Sequence, residues 1–565
     1  MMAPSSLETV NYSADPSLNS VLRGVVKDVK DHAERLMSQI RELSSIGRSL
    51  SGVYDLDDLL EKIVDNARAF THADAGTLYI KEDDRLRFSI FQNDSLGIRL
   101  GGKTGGAIPY PPLALDKHNV SAFVAMNGTS VNIPDVYDAA LYDFTGPKKF
   151  DRTTGYRSKS MLVVLLKNHE NDIIGVLQLL NARDTRTGKA VPFSKDCESL
   201  TQSLASQAAV AISNVKLITD MENLFEAFVK VMATAIDEKS PATGGHIRRV
   251  AHLTLTLAET INNKDSGPFK HVHFNEDQMH ELRIASWMHD IGKVTTPVEI
   301  IEKSRKLETI FDRIEHVRLR MDYLVQKTRN RALKEQVEAM KSGANAGALQ
   351  AIEAHAEKQV RQLLEIREFL TECNKPAEGL DDDKIERLKA IAQKTYIDDT
   401  GRRRPLITPD ELENLSIRKG SITEAERKIM KEHAYMTLKM LSQIPFTKKF
   451  RNIPHFAGAH HECLDGTGYP LGLKGDEIPF EGKLMAVTDI AEALTSADRP
   501  YKKAMPLAEV HRVLRSLADK GKLDGDLVRL FIEEDVYSAY VRKYEKAQPA
   551  ASELGPAPGP RKVTG

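Results

Sequence analysis

Near the start of the chain, apolar positions recur at Leu22, Val26, Val29, Ala33, Leu36, Ile40 and Leu43, in alternating steps of four and three. That spacing predicts a helix over 22–49 with a heptad seam, which either pairs with a second copy of itself or packs on its own domain. From about 50 to 214 the pattern is mixed. A helical stretch over 55–70 precedes strand-like segments: 76–80, then Leu86, Phe88 and Ile90 alternating with polar residues. The apolar runs 161–166 and 173–180 flank a polar turn and read as a hairpin. Helix, antiparallel strands and a closing helix predict an α+β domain over 50–214.

The closing helix runs on without a break over 204–235. Leu204, Ala208, Ala211, Val215, Ile218, Phe225, Val229 and Met232 keep a heptad phase. In a parallel dimer such a helix would carry a rotation or register shift; alternatively the same face is buried within one subunit. Residues 225–546 are overwhelmingly helical in pattern, with almost no alternating strands, predicting an all-α domain. Within them Leu307, Phe311, Ile314, Met321 and Leu324, then Ile352, Val360, Leu363, Ile366 and Leu370, mark two helices around a turn at 343–347. They form a helical-hairpin insertion over about 304–417. Residues 1–21 and 547–565 read as disordered tails.

Composition narrows the class. The 565 residues are 41% hydrophobic and 28% charged, enough for several packed domains. Lys plus Arg number 79 and Asp plus Glu 80, so no global charge recruits a nucleic-acid polymer or an anionic membrane. Cys197, Cys373 and Cys463 are too few and scattered for a disulfide framework. The first twenty residues lack the basic and apolar regions of a signal peptide, and no stretch approaches about 20 consecutive apolar residues. The expectation is a cytoplasmic protein without membrane insertion.

The chemistry-bearing residues fall in five clusters: His246 after Thr243; His289 and Asp290 with Lys293; His433; His460 and His461 followed by Asp465, Gly466, Gly468, Tyr469 and Pro470; and Asp489 with Arg499 and Lys502 beyond it. Imidazoles and carboxylates without thiolates favour Fe or Mn, with Zn as an alternative. If 289 and 290 share a helix, their side chains point about 100° apart and approach a metal from two sides. An aspartate has two oxygens, so Asp290 would bridge two ions, and such a pair activates water against a phosphodiester. Lys293 lies about one helical turn beyond His289, in reach of a phosphate oxygen. Any one cluster is weak; His-Asp-Ile-Gly-Lys together with His-His-Glu-x-x-Asp-Gly-x-Gly-Tyr-Pro indicates a metal site.

These two motifs resemble those of the HD-GYP family, a branch of the HD metal-dependent phosphohydrolases. The resemblance implies an all-helical domain with a two- or three-metal centre that hydrolyses cyclic di-GMP to pGpG or GMP. Carried over by motif, His246, His289, Asp290 and Asp489 would hold one ion, and Asp290, His433, His460 and His461 the other. Lys293 would touch the scissile phosphate, and Arg499 and Lys502 would grip substrate phosphate. Tyr469 would offer a stacking surface or simply pack its loop. Members with a third metal carry a glutamate where Ala242 stands, which argues for two ions and pGpG as the main product. Cys463 reads as packing.

The stretch 154–160 with the strand after it resembles GAF domains of the cyclic-nucleotide phosphodiesterase type. Asn181 and Phe193 match their signature, but Ala182 replaces a lysine and Asp196 and Glu198 are out of register. This argues against a cyclic nucleotide and leaves another small ligand, or dimerisation, as its role. The leading expectation is a GAF-regulated phosphodiesterase, homodimeric through 22–46 and 204–232. The alternatives are an HD hydrolase of another nucleotide and a catalytically degenerate cyclic-dinucleotide-binding signalling protein.

Overall fold

The computed structural model describes residues 11–53, 55–117, 119–138, 142–239, 245–376, 379–496 and 504–545. The chain divides into two compact units, 1–224 and 225–565.

In the first unit, α1 (Pro16–Ser51) opens earlier than its apolar seam predicts. Asp15 accepts from the amides of Ser17 and Leu18, and Pro16 stands in the first turn, where its missing N–H leaves nothing unpaired. Residues 16–21, expected in a disordered tail, are therefore helical. Residues 1–10 and the expected tail 547–565 lie outside the described residues. After α2 (Leu56–Thr71) come β1 (Ala73–Glu82), β2 (Arg85–Asn93), β3 (Ile98–Gly101), β4 (Leu113–Ala114), α3 (Val120–Asn127), β5 (Val131–Ile133), α4 (Thr145–Thr154), β6 (Met161–Lys167), β7 (Ile173–Arg183), β8 (Ala190–Val191) and α5 (Lys195–Asp237). The antiparallel sheet runs β3-β2-β1-β7-β6-β5, with β4 on β2 and β8 on β7. One face packs Leu78, Leu162 and Leu177 against Ile63 of α2, Ile46 of α1 and Leu204 of α5. The other packs Tyr79, Val163 and Val176 against Val120, Phe144 and Tyr156.

The heptad phase read on α5 is buried or half-buried at every position except Ile218, which is exposed. Leu204, Ala208 and Val215 are buried in the first unit's core and Val229 in a core of the second. A different stripe at the same spacing is exposed on α5: Val210, Leu217, Met221, Leu224, Phe228 and Val231. On α1 the expected seam is largely open, with Val29 and Ile40 exposed beside Val25 and Met37, while Ile46 and Leu50 at the far end are buried.

The second unit begins with the end of α5 and continues through α6 (His246–Asn262), α7 (Glu276–Met288), a 3₁₀ turn (Ile291–Thr295), α8 (Val298–Ile301), α9 (Ile314–Lys341), α10 (Ala346–Cys373) and α11 (Asp382–Ala392). Then follow β9 (Thr395–Ile397), β10 (Arg403–Pro405), α12 (Pro409–Leu415), α13 (Glu424–Leu441), α14 (Ile453–Gly458), α15 (Phe480–Thr495), α16 (Leu507–Asp519), α17 (Gly525–Glu533) and α18 (Val536–Tyr540). The β9–β10 pair departs from the all-helical expectation.

The insertion is more than a hairpin. α9 and α10 run antiparallel, with Arg367 donating to Asp322 at 2.6 Å. Their base packs with α11 and α12 around Leu307, Val317, Met321, Leu370, Leu388 and Leu415, a core separate from those of the surrounding helices. Lys303, fully buried at its side chain, ties this body to the first turn of α13 by donating to Asn414 at 2.9 Å and to both oxygens of Glu426 at 2.8 Å.

Candidate metal centre

Five helices and one 3₁₀ turn deliver the side chains. His246 is the first residue of α6, placed by Gly245 in a left-handed conformation (φ 76°). α7 stops at Met288, so His289 and Asp290 do not share a helix as the sequence reading assumed. His289 caps α7, and Asp290 (φ −104°, ψ 11°) starts the 3₁₀ turn that carries Lys293. His433 sits within α13, opened by the capping box of Thr423 and Glu426. His460 and His461 follow α14, and Asp489 lies on α15.

Asp290 is the hub. Its Oδ2 lies 3.4 Å from His246 Nε2 and 3.2 Å from His289 Nε2. Its Oδ1 lies 3.3 Å from His433 Nε2 and 3.9 Å from His460 Nε2. Asp489 Oδ1 meets His246 Nε2 at 3.2 Å. The ligating atoms gather in two groups, His246 with His289 and Asp290, and His433 with His460 and His461, each within 4.8 Å of one another.

The donor set fits cations. The Nδ1 atoms of His289, His433 and His460 face the carbonyls of Ser286, Met430 and Ala457 at 2.5–2.7 Å, which places a proton on each Nδ1. The three Nε2 lone pairs then point inward, and together with Asp290 Oδ1 they are buried without a hydrogen-bond partner. Lone pairs facing lone pairs in a dry site repel, and a pair of cations between them resolves the conflict. Burial lowers the pKa of His433 and His460, and lowers that of His461 to about 3, so these rings stay neutral. Although burial opposes charge on Asp290, Lys293 and His289 hold its carboxyl well below the usual range. His246 is also buried, yet Glu492, Asp290 and Asp489 raise its pKa well above the ordinary value.

Lys293 pairs with the Oδ2 side of Asp290 through the 3₁₀ turn rather than through a helical turn from His289. The Tyr469 ring lies 4.8 Å from that of His461, with Lys431 Nζ 5.2 Å from its centroid. Arg499 and Lys502 lie outside the described residues, as does Ala242. Cys463 belongs to neither group of ligating atoms.

Three residues at the site were passed over in the sequence. Glu492 contacts His246 Nδ1 and lies one turn beyond Asp489 on the same face of α15. Thr437, one turn after His433, donates to the His289 carbonyl at 2.9 Å and accepts from the Gly292 amide at 3.0 Å. Glu462, inside the quoted motif but given no role, holds the following loop by accepting from the amides of Leu471, Gly472 and Leu473. The first two follow from helical spacing around a ligand.

In the first unit, Asn181 accepts from the Lys159 amide at 2.7 Å and donates to Tyr156 and Arg157, joining β7 to the 154–160 segment. A cavity of about 230 Å³ opens there, lined by Tyr79, Phe88, Phe91, Tyr110, Phe150 and Gln178 among others. Among the described residues no helix is long and apolar enough to cross a membrane.

Together the antiparallel sheet and the helical body with its His/Asp centre define a GAF domain followed by an HD-domain region. The GAF domain model matches residues 55–212, and HD domain models match 243–394 and 398–527. The chain is 44% identical over 88 residues to 3'3'-cGAMP-specific phosphodiesterase 3 of Vibrio cholerae, covering 16% of this chain and 18% of that protein. It is 32% identical over 148 residues to 3'3'-cGAMP-specific phosphodiesterase 1 of the same organism, covering 26% of this chain and 32% of that one. With the cyclic di-GMP phosphodiesterase of Thermotoga maritima it shares 36% identity over 139 residues, 24% of this chain and 36% of the relative. The chain thus spans between 18% and 36% of the length of these curated relatives.

Proposed function

We propose that the helical region is a two-metal phosphodiesterase that hydrolyses cyclic di-GMP to pGpG, regulated by the GAF domain. The observation that carries this reading is Asp290, whose two oxygens each face a separate set of imidazoles with unpaired Nε2 atoms. One ion would be held by His246, His289, Asp290 and Asp489, and a second by Asp290 with His433, His460 and His461. An all-nitrogen and oxygen donor set suits Fe or Mn.

When bound, such a pair supplies Lewis acidity to the phosphate and an acidified water. The chain's own groups do the rest. Asp290 would offer an oxygen to each ion, the Nδ1-to-carbonyl bonds fix the ring planes, and Lys293 places a positive charge where the scissile phosphate enters. Water oxygen bonds to phosphorus and gives up one proton, the P–O3′ bond breaks, and the leaving 3′-oxygen takes up a proton in its place, so that water is divided between the two ends of the linear product. Tyr469 beside His461 offers a face for a guanine, and Arg499 and Lys502 complete the phosphate grip.

The relatives named for 3'3'-cGAMP support a second reading, in which the preferred substrate is a mixed cyclic dinucleotide. The aromatic-lined cavity supports a small-molecule ligand for the GAF domain. The exposed stripe on α5 from Val210 to Val231 supports a homodimer, with the open face of α1 as a second contact. A cytoplasmic location is consistent with the cyclic dinucleotide substrate.

The test is anaerobic purification with Fe(II) or Mn(II), metal analysis, and chromatography of digests of cyclic di-GMP and 3'3'-cGAMP in parallel. The expected result is two ions per chain and pGpG from cyclic di-GMP, both lost in Asp290→Asn. Metal-loaded protein that turns over neither compound overturns the reading.

A further inference from the structure

The segment 290–296 supplies both the bridging carboxylate and Lys293, and it is gripped from two sides. On one side α13 holds it: Thr437 bonds Gly292 and His289, and a Cβ at Gly292 would fall 1.9 Å from the His433 carbonyl oxygen. On the other side stands Lys239, two residues past the end of α5. Its Nζ donates to the carbonyls of Lys293 at 3.0 Å, Val294 at 2.6 Å and Thr296 at 2.7 Å. An ammonium has three protons, and here three carbonyls take them all. These carbonyls sit in and just beyond the C-terminal half of the 3₁₀ turn, where carbonyl dipoles converge and favour a cation.

We propose that Lys239 is a positioning residue for phosphodiester hydrolysis: by saturating these carbonyls it fixes the 3₁₀ turn and so sets where Lys293 meets the scissile phosphate. The inference rests on the phosphodiesterase reading. Lys239 acts on backbone oxygens and through Lys293, not on a metal ligand. Without it the carbonyls of Val294 and Thr296 lose this donor and that of Lys293 keeps the Thr296 amide, the turn re-forms around water, and the Lys293 ammonium loses its fixed origin. Misplacement of a charge by about 1 Å is enough to cost about 100-fold in rate.

The experiment uses the full chain and the variants Lys239→Met, Lys239→Arg and Lys239→Ala, the last with and without added ethylammonium. The expected result for Lys239→Met is a kcat lower by about 10- to 100-fold, with KM changed less than about threefold and metal content unchanged. Hydrogen exchange in 290–298 speeds up, and Lys239→Arg recovers part of both effects. Ethylammonium restores part of the rate and of the exchange protection in Lys239→Ala. Should Lys239→Met fail to fold, Lys239→Gln, which keeps two donors, is read in the same way. A kcat within about twofold of the parent, or unchanged exchange in 290–298, overturns the proposal. A parent chain that hydrolyses no cyclic dinucleotide overturns the functional reading instead, and the exchange data then decide the role of Lys239 alone.

Discussion

Glu492 stands behind His246, one carboxylate oxygen meeting the ring Nδ1 and the other accepting from Arg249 Nε. The pair is buried, so the orientation of His246 depends on this carboxylate. Glu492→Gln keeps the shape but weakens that hold. It should lower metal affinity by about 10- to 100-fold, read by competitive metal titration, with folding largely retained.

Gly292 allows the 3₁₀ turn to lie directly on the backbone of α13. A methyl group there meets the His433 carbonyl at 1.9 Å and the Thr437 amide at 2.7 Å, and neither can rotate away. Gly292→Ala should destabilise the helical region by about 3 kcal/mol, seen as a lower denaturant midpoint and reduced metal content.

His252 stacks on Tyr544 with ring centroids 4.1 Å apart. Burial first, and then Arg248, Lys543, Arg283 and Lys230, push its pKa down to about 4. In the unfolded chain it titrates near about 6.5, so between these values the unfolded state holds a proton the folded state lacks. Its contribution is therefore intact above about pH 6.5 and declines as pH falls towards about 4. His252→Gln should show a smaller drop in urea midpoint between about pH 7.5 and pH 5 than the parent.

Lys303 joins the insertion to α13 through Asn414 and Glu426, with its side chain fully buried and Glu426 partly exposed. Lys303→Met leaves Asn414 and Glu426 without this donor and should cost about 1–3 kcal/mol. Because the insertion has its own core, limited proteolysis should cut near 303–305 and 416–421 sooner than within α9 or α10.

Much of this was legible because the signals are local. The period-two run at 86–90, the paired apolar runs on either side of 167–172, and the Thr423–Glu426 capping box each announce an element through neighbouring residues. The motifs named imidazoles and carboxylates that gather in two groups, His246 with His289 and Asp290, and His433 with His460 and His461. What escaped was non-local or ambiguous. A heptad phase on α5 does not say whether its partner is the same chain, and two stripes of equal period share that helix. α7 gives way to a 3₁₀ turn whose Gly292 lies against α13, a contact 145 positions away along the chain. Lys239 acts on carbonyls that carry no sequence signature.

The separate core of the insertion has a consequence for how the centre comes into being during synthesis. His246, His289 and Asp290 emerge from the ribosome before α9 to α12, and His433, His460, His461 and Asp489 only afterwards. At about 5–20 residues per second, the nascent carboxylate of Asp290 waits on the order of ten seconds for its second set of imidazoles. During that interval the insertion can fold as a body and bring its two ends together, so that α13 arrives already aimed at the half-built cradle.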